Sequence, residues 1–266
     1  MTLPAPSPSS LALVTGASGG IGLEMARELH RRGFTVGLVA RSEDKLHALA
    51  NELGERAVVL PTDLTDRAAR AGLPGRIEAL GLVVEVLVNN AGLSTTGAVH
   101  LSDPERELGM VEVDVAAVVD LCTRFLPGMV ERRRGAVLNV ASTASFQPVP
   151  GQSAYGAAKA FVRSYTQGLY GELRGTGVSV TALCPGPVET DFIETAGFDH
   201  DQAMKSLPGP MWLPAKAVAK AAIDGLDRGT LVVVPGVANK VGVTLARAVP
   251  KKLLAPLLAS QHPSLR

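Results

Sequence analysis

Short apolar runs and longer amphipathic stretches alternate along the chain, and this alternation is the clearest sign of its fold. Most runs are continuously apolar, which is typical of strands buried on both faces in a parallel sheet. The stretches between them carry apolar residues at helical spacing. The predicted strands are residues 11–15, 35–40, 57–61, 84–89, 136–141, 178–184 and 231–235, and the predicted helices include residues 22–32, 42–53, 103–134, 154–174 and 214–227.

Alternating strands and helices imply right-handed crossover units that join neighbouring parallel strands. We therefore predict an α/β fold of the Rossmann type, a doubly wound parallel sheet of about seven strands in a three-layer α/β/α arrangement. Residues 11–235 contain no linker-like stretch and no internal repeat, so they form one predicted domain. Residues 1–10 are expected to be a disordered lead-in, and residues 236–266 a helical extension of the same domain.

Composition and charge narrow the class of protein. The 26 basic and 25 acidic side chains leave a formal charge of +1, so no global field favours a nucleic acid partner. Cys122 and Cys184 lie in apolar surroundings and predict buried thiols, not a disulfide framework or a metal site. The first ten residues lack the charged and apolar regions of a signal peptide, and no apolar run reaches membrane-spanning length. We expect a cytoplasmic protein.

A glycine-rich turn follows the first predicted strand, in the sequence Thr15-Gly-Ala-Ser-Gly-Gly-Ile-Gly22. Glycines between a strand and a helix let backbone amides approach a pyrophosphate at the helix N-terminus. The spacing departs from the common GxGxxG pattern, and a tight turn without a ligand is the alternative. The residues predicted to bind a dinucleotide here are Gly16, Ser18, Gly20, Ile21 and Gly22.

The end of the second predicted strand indicates which dinucleotide is bound. A carboxylate at this point would hold the ribose diol of NAD, but the strand ends in Val39-Ala40-Arg41-Ser42. A cation there suits a 2′-phosphate, so Arg41 favours NADP(H) over NAD(H). The alternative is that Arg41 is an ordinary solvated side chain.

Tyr155 and Lys159 are four residues apart in a predicted helix, so their side chains share one face. An ammonium beside a phenol favours the phenolate and lowers the phenol pKa toward the working pH of an enzyme. The pair therefore predicts a general acid or base. Chance produces such a spacing readily, so its weight depends on the motifs around it.

Further motifs follow successive strands in order: Asp63-Leu64 after the third, Asn89-Asn-Ala-Gly92 after the fourth, Ser142 after the fifth and Pro185-Gly186 after the sixth. With the glycine turn and the Tyr155–Lys159 pair, the chain resembles the short-chain dehydrogenases/reductases over roughly residues 9–235. The resemblance implies that Asp63 and Leu64 flank the adenine. It also implies that Asn90, Ala91 and Gly92 line the cofactor channel, and that Pro185, Gly186, Val188 and Thr190 lie along the nicotinamide. Asn89 alone has a structural alternative, as a side chain that satisfies neighbouring backbone groups.

The resemblance also implies the catalytic roles. Tyr155 would exchange a proton with the substrate oxygen, Ser142 would hold that oxygen, and Lys159 would lower the phenol pKa and bind the nicotinamide ribose. One position departs from the family, because Asp114 stands where many relatives have an asparagine. We include Asp114 among the candidate catalytic residues; a tolerated exchange or a one-residue misalignment is the alternative.

The predicted substrate side begins with a lid over about residues 190–213, which carries Phe192, Ile193, Phe198, Met204, Leu207, Met211 and Trp212. These side chains suit a lipophilic carbonyl or alcohol, or else anchor the segment to the body. Beyond it, residues 237–249 and 250–258 predict two short amphipathic helices with Lys240, Arg247, Lys251 and Lys252. Packing over the substrate entrance or against another subunit is favoured over contact with an anionic membrane surface.

The sequence thus predicts an NADP-dependent oxidoreductase that interconverts a carbonyl and an alcohol. The alternative is a nucleotide-binding sensor or scaffold with the same fold, for which Asp114 is the favouring feature. A sugar-nucleotide epimerase is disfavoured, because little chain follows the sheet. Family habit suggests a homodimer or homotetramer formed through the helices near residues 103–134 and 154–174.

Overall fold

The computed structural model describes residues 3–190, 192, 197, 207–261 and 265. In this part of the chain, seven parallel strands form one sheet in the order β3-β2-β1-β4-β5-β6-β7. The strands are β1 Ser10–Thr15, β2 Thr35–Val39, β3 Ala57–Val59, β4 Val83–Asn89, β5 Gly135–Val140, β6 Val178–Leu183 and β7 Val232–Val233. The predicted fold class is confirmed, and the predicted strand ends differ from these by at most two residues.

Helices cover both faces of the sheet. They are α1 Gly20–Arg31, α2 Glu43–Leu53, α3 Arg67–Glu78, α4 Pro104–Val111, α5 Ala117–Glu131, α6 Ser153–Glu172, α7 Ala215–Asp227, α8 Val237–Ala248 and α9 Lys251–Gln261. The segment predicted as helical over residues 103–134 is helical from Pro104 to Glu131, and a π-helical turn, Glu112–Ala116, separates α4 from α5 within it. Helix α3 was not among the predicted segments, since Pro74 interrupts its helical pattern; Asp66 nevertheless caps it with a carboxylate that accepts two backbone N–H groups.

The strands alternate their side chains between two apolar layers. Leu11 and Leu13 belong to the layer packed under α3, α5 and α6, whereas Ala12 and Val14 belong to the layer under α1, α2 and α7. Burial on both faces explains why the strands read as continuous apolar runs. The sheet thereby holds the carboxyl ends of its central strands at one edge, where the candidate site lies.

The residues before β1 are in contact with the body, and both cysteines are buried. Residues 3–9, expected to be a disordered lead-in, contact the body where Leu3 N donates to Asp227 Oδ1 at 3.1 Å and Arg134 donates to the Ala5 carbonyl. Burial raises the pKa of the Cys122 thiol to about 12 and that of Cys184 to about 11, which confirms the predicted buried thiols. Within the described residues, every helix is too short or too polar to span a bilayer.

Candidate active site

A cleft of about 730 Å³ opens at the carboxyl edge of the sheet. Most of the predicted site residues line it: Gly16, Ser18, Gly20, Ile21, Arg41, Asp63, Leu64, Asn90, Ala91, Gly92, Ser142, Tyr155, Lys159, Pro185, Gly186, Val188 and Thr190. Two predicted residues lie behind its walls. Gly22 is buried in α1, and Asp114 is buried behind Lys159.

The glycine turn forms one end of the cleft. Gly16 and Gly20 have φ angles of +67° and +55°, which other residues rarely adopt. A Cβ atom on Gly22 would lie 2.3 Å from both the Gly16 carbonyl oxygen and Asn90 Nδ2. Asn90 Nδ2 also donates to the Thr15 carbonyl at 2.9 Å, so the turn is tied to the loop after β4. This cradle leaves the N-terminus of α1 without a side-chain cap, and it fits a pyrophosphate.

A basic rim borders the cleft next to this turn. Exposed Arg41 contributes to it, together with Lys45, a residue that sequence reasoning missed. Lys45 lies in the first turn of α2, four residues after Arg41, and that short separation could have identified it. The pKa of Asp63 lies below its usual value, first because Thr65 N–H donates to its carboxylate and also because Arg41 attracts it. Two cations at one rim suit a phosphate on the adenosine ribose.

Tyr155 and Lys159 project from the first turns of α6 into the middle of the cleft. Lys159 Nζ lies 5.7 Å from the centroid of the Tyr155 ring and donates to the Val140 carbonyl at 3.2 Å. It also lies 2.9 Å from Asp114 Oδ2 in a buried ion pair. The other carboxylate oxygen of Asp114 accepts the Leu93 N–H at 2.7 Å. Lys159 is therefore held between the end of β5 and Asp114.

The Asp114 side chain reaches Lys159 from the π-helical turn. Asp114 is the third residue of this turn, Glu112–Ala116, and is fully buried. Gly92 leaves room for the pair, since a Cβ there would lie 3.1 Å from Lys159 Nζ. The structure therefore brings Asp114 to Lys159 and not to the surface of the cleft.

The pKa of the Tyr155 phenol is shifted in the opposite direction to the sequence prediction. Burial raises the pKa of Tyr155, and the attraction of Lys159 and a hydrogen bond with Ser142 only partly offset it. Asp114 adds to the rise by repelling the phenolate. The pKa of Lys159 is also raised, because Asp114 and Tyr155 outweigh its desolvation. Burial likewise raises the pKa of Asp114, against the attraction of Lys159. The expected net lowering of the phenol pKa is therefore wrong for the free protein, although Lys159 acts in the expected sense.

Ser142 sits at the end of β5, where it caps a short 3₁₀ turn, Thr143–Phe146. Its Oγ accepts the Ala144 N–H at 3.1 Å, which fixes the hydroxyl beside Tyr155.

Arg70, a buried residue that was not predicted, supports the wall of the cleft that Leu64 lines. It donates to the Leu64 carbonyl, to Glu112 at 2.7 Å and to Asp120 at 2.8 Å. These contacts join the Asp63-Leu64 loop to the helix that carries Asp114.

Apolar side chains dominate the far end of the cleft. The Phe192 ring lies 6.1 Å from the Tyr155 ring, and the other apolar lining residues of this end are Pro148, Val149, Pro150, Leu207, Met211, Trp212, Val243 and Leu258. The predicted lid residues Ile193, Phe198 and Met204 lie outside the described residues. The helical extension closes over this end, because α8 and α9 contribute Val243 and Leu258.

Asn239 in α8 is a further residue that sequence reasoning missed. It is fully buried, and its Nδ2 donates to the carbonyls of Met211 at 3.0 Å and Pro235 at 3.1 Å. A Cβ on Gly186 would lie 2.3 Å from its Oδ1. The sequence signal that could have identified Asn239 is an asparagine within the apolar pattern of a helix. Asn239 thus joins α8 to the segment around Met211 and packs against the Pro185-Gly186 loop.

Comparison with known proteins agrees with this arrangement. A model of the short chain dehydrogenase family matches residues 10–200. The NADP-dependent 3-hydroxy acid dehydrogenase YdfG of Salmonella typhi is 35% identical over 214 residues, which are 79% of this chain and 86% of that protein. The very-long-chain 3-oxoacyl-CoA reductase of Anas platyrhynchos is 35% identical over 233 residues, 85% of this chain and 73% of that protein. A short-chain dehydrogenase from Sphingobium yanoikuyae, solved with NADPH, is 32% identical with a TM-score of 0.79 and covers 92% of this chain and 95% of its own. The chain therefore belongs to the short-chain dehydrogenase family.

Proposed function

We propose that this protein is an NADP-dependent oxidoreductase that interconverts a lipophilic carbonyl compound and its alcohol. The observation that carries the proposal is the cleft itself. Ser142, Tyr155 and Lys159 meet at its centre, between a glycine cradle with a basic rim at one end and an apolar chamber at the other.

The cradle supports a dinucleotide on steric grounds. Side chains at Gly16 or Gly22 would fill the space beside the turn, and the uncapped α1 amides suit a pyrophosphate. When bound, the cofactor would supply hydride transfer. Arg41 and Lys45 would hold a 2′-phosphate, and a relative named as NADP-dependent and a neighbour solved with NADPH support this choice over NAD.

The central residues would manage the proton. In the reducing direction Tyr155 donates its phenolic proton to the carbonyl oxygen, and in the oxidising direction the phenolate removes a proton from the alcohol. The Ser142 hydroxyl donates to the same oxygen and stabilises the charge that develops on it. Lys159 Nζ has three N–H donors; it donates to the Val140 carbonyl and lies 2.9 Å from Asp114 Oδ2, and a further donor would bind a ribose hydroxyl.

The substrate chamber favours an apolar partner. Phe192, Leu207, Met211 and Trp212 contribute apolar surface, and Phe192 approaches Tyr155 directly. The resemblance to a reductase named for very-long-chain substrates agrees with this preference. A long aliphatic or bulky apolar ketone should therefore be reduced more efficiently than a short polar one.

A second candidate is a nucleotide-binding sensor with little turnover, and the Asp114–Lys159 ion pair favours it. A carboxylate that engages the lysine and repels the phenolate weakens the proton donor. The two candidates share cofactor binding and differ only in turnover.

A ketone series with NADPH and NADH tests the proposal. We expect ketone-dependent oxidation of NADPH, with kcat/KM rising as the apolar part of the substrate grows. Arg41→Ala should raise the KM for NADPH about tenfold and leave that for NADH within about twofold, as loss of one charge-assisted contact predicts. NADPH binding without reduction of any ketone would instead favour the sensor. Equal use of both cofactors by the wild type and by Arg41→Ala would refute the proposal that the basic rim binds a 2′-phosphate.

A further inference from the structure

The outer face of α8 is an exposed apolar stripe. Val237, Val241 and Leu245 follow one another at intervals of four residues, and their side chains are 77%, 53% and 62% exposed. Residues this apolar seldom line up in solvent on one helix face without a partner. The opposite face of α8 is occupied, because Asn239, Val243 and Ala246 are buried against the body.

Helix α9 repeats the pattern. Leu253 and Leu257 are one turn apart and are 68% and 55% exposed, whereas Leu254 is buried and Leu258 lines the cleft. Lys251 fixes the start of the helix, since its Nζ donates to the Phe146 carbonyl at 3.0 Å and to the Ala246 carbonyl at 2.8 Å. Both helices are therefore seated on the body by one face and leave a second apolar face outside.

The charge of this segment indicates the partner. Residues 237–261 contain Lys240, Arg247, Lys251 and Lys252 and no acidic residue, although the whole chain has a net charge of only +1. Lys240, Arg247 and Lys252 are exposed, whereas the Lys251 ammonium is held by its two carbonyl contacts. Exposed leucines and valines among lysines and arginines are the composition of helices that lie in the interface of an anionic bilayer. A copy of this chain, nearly neutral as a whole, offers less charge complementarity than an anionic lipid surface.

We propose that α8 and α9 dock on an anionic lipid surface, with the exposed apolar stripe in the boundary between headgroups and acyl chains and the cations against the lipid phosphates. The inner faces of the same helices form a wall of the apolar end of the cleft. Docking would therefore bring the substrate chamber next to the membrane, from which a lipophilic substrate enters. The docking itself depends on neither turnover nor cofactor.

Co-sedimentation of the full chain with vesicles tests this proposal. Vesicles of phosphatidylcholine alone are compared with vesicles that contain about 30% phosphatidylglycerol, at low and at high salt. We expect at least about tenfold stronger partitioning onto the anionic vesicles, with loss of that gain at high salt because the attraction is screened. Val241→Glu with Leu245→Glu should remove the binding.

Leu80→Glu is the matched control. Leu80 is also an exposed leucine, at 53%, but it precedes β4 at the opposite edge of the sheet from the cleft. It should leave vesicle binding unchanged. Lys240→Gln with Lys252→Gln should weaken binding about 25-fold, from about fivefold per exposed cation. This variant provides the test if the glutamate variants fail to fold.

Three outcomes would overturn the proposal. The first is equal binding to neutral and anionic vesicles, and the second is equal loss of binding in Leu80→Glu. The third is absence of vesicle binding in the wild type together with a smaller assembly for Val241→Glu/Leu245→Glu in sedimentation velocity, which would identify the stripe as a contact between copies of the chain.

Discussion

Replacing Asp114 by asparagine should make the Tyr155 phenol ionise more readily, because it removes the carboxylate that repels the phenolate. The side chain keeps its shape and still offers Oδ1 to the Leu93 N–H. Lys159 keeps its place beside the phenol but loses its carboxylate partner. The change therefore separates the charge of Asp114 from its structural contact.

The size of the effect follows from two distances. Asp114 Oδ2 lies 2.9 Å from Lys159 Nζ, which lies 5.7 Å from the Tyr155 ring centroid, so the carboxylate oxygen is at most 8.6 Å from that centroid. Two unit charges at that separation repel by about 2 kcal/mol at an effective dielectric constant of about 20. The ionisation constant of the phenol should then rise by about twentyfold or more in Asp114→Asn.

The assay is the pH dependence of alcohol oxidation and of ketone reduction. Oxidation requires the phenolate, so its rising limb should move to lower pH in Asp114→Asn. Reduction requires the protonated phenol, so it should fall off at lower pH than in the wild type. Glu105→Gln, which removes an exposed carboxylate from α4, should leave both profiles in place. Superimposable profiles for Asp114→Asn and wild type, or a move to higher pH, would refute the reasoning.

Three structural predictions accompany this one. Asn239→Leu should lower the free energy of unfolding by about 2 kcal/mol in urea titrations, because two buried carbonyls lose their donor; an unchanged midpoint would show that these contacts contribute nothing. Gly22→Ala should abolish NADPH binding and lower the free energy of unfolding by about 3 kcal/mol, because the new Cβ would lie 2.3 Å from two atoms. Gly19→Ala, whose Cβ would have no neighbour within 4 Å, should leave the free energy of unfolding nearly unchanged. Equal stability of the two variants would contradict the packing argument. Arg70→Met should cost about 3 kcal/mol because Glu112, Asp120 and the Leu64 carbonyl all lose their buried donor, whereas exposed Arg67→Met should change stability little; comparable losses would show that burial of Arg70 has no energetic weight.

The sequence predicted the parts of the fold that depend on local pattern. Strands buried on both faces read as continuous apolar runs, so their number and ends were predicted within two residues. The motifs at the carboxyl ends of those strands converge because a parallel sheet brings those ends to one edge. The predicted parallel sheet therefore already implied that Ser142, Tyr155 and Lys159 would lie close together.

The features that depend on tertiary contact were not predictable in this way. Helix α3 contains Pro74 and is held by the Asp66 cap and by the contacts of Arg70. Lys45 and Asn239 each carry a local signal in the sequence, but it is the packing of α2 and α8 that brings them to the cleft. The sign of the net pKa change of Tyr155 was wrong, because the spacing to Lys159 revealed the attraction but not the larger effect of burial.

The central claim is that Tyr155 is the proton donor in an NADPH-dependent reduction. Tyr155→Phe removes one hydroxyl and keeps the ring that packs beside Phe192. Its NADPH dissociation constant, measured by fluorescence titration, should stay within about threefold of the wild type, while kcat for ketone reduction falls by about a hundredfold or more, as loss of a general acid predicts. Ketone reduction by Tyr155→Phe at a rate close to that of the wild type would contradict the account.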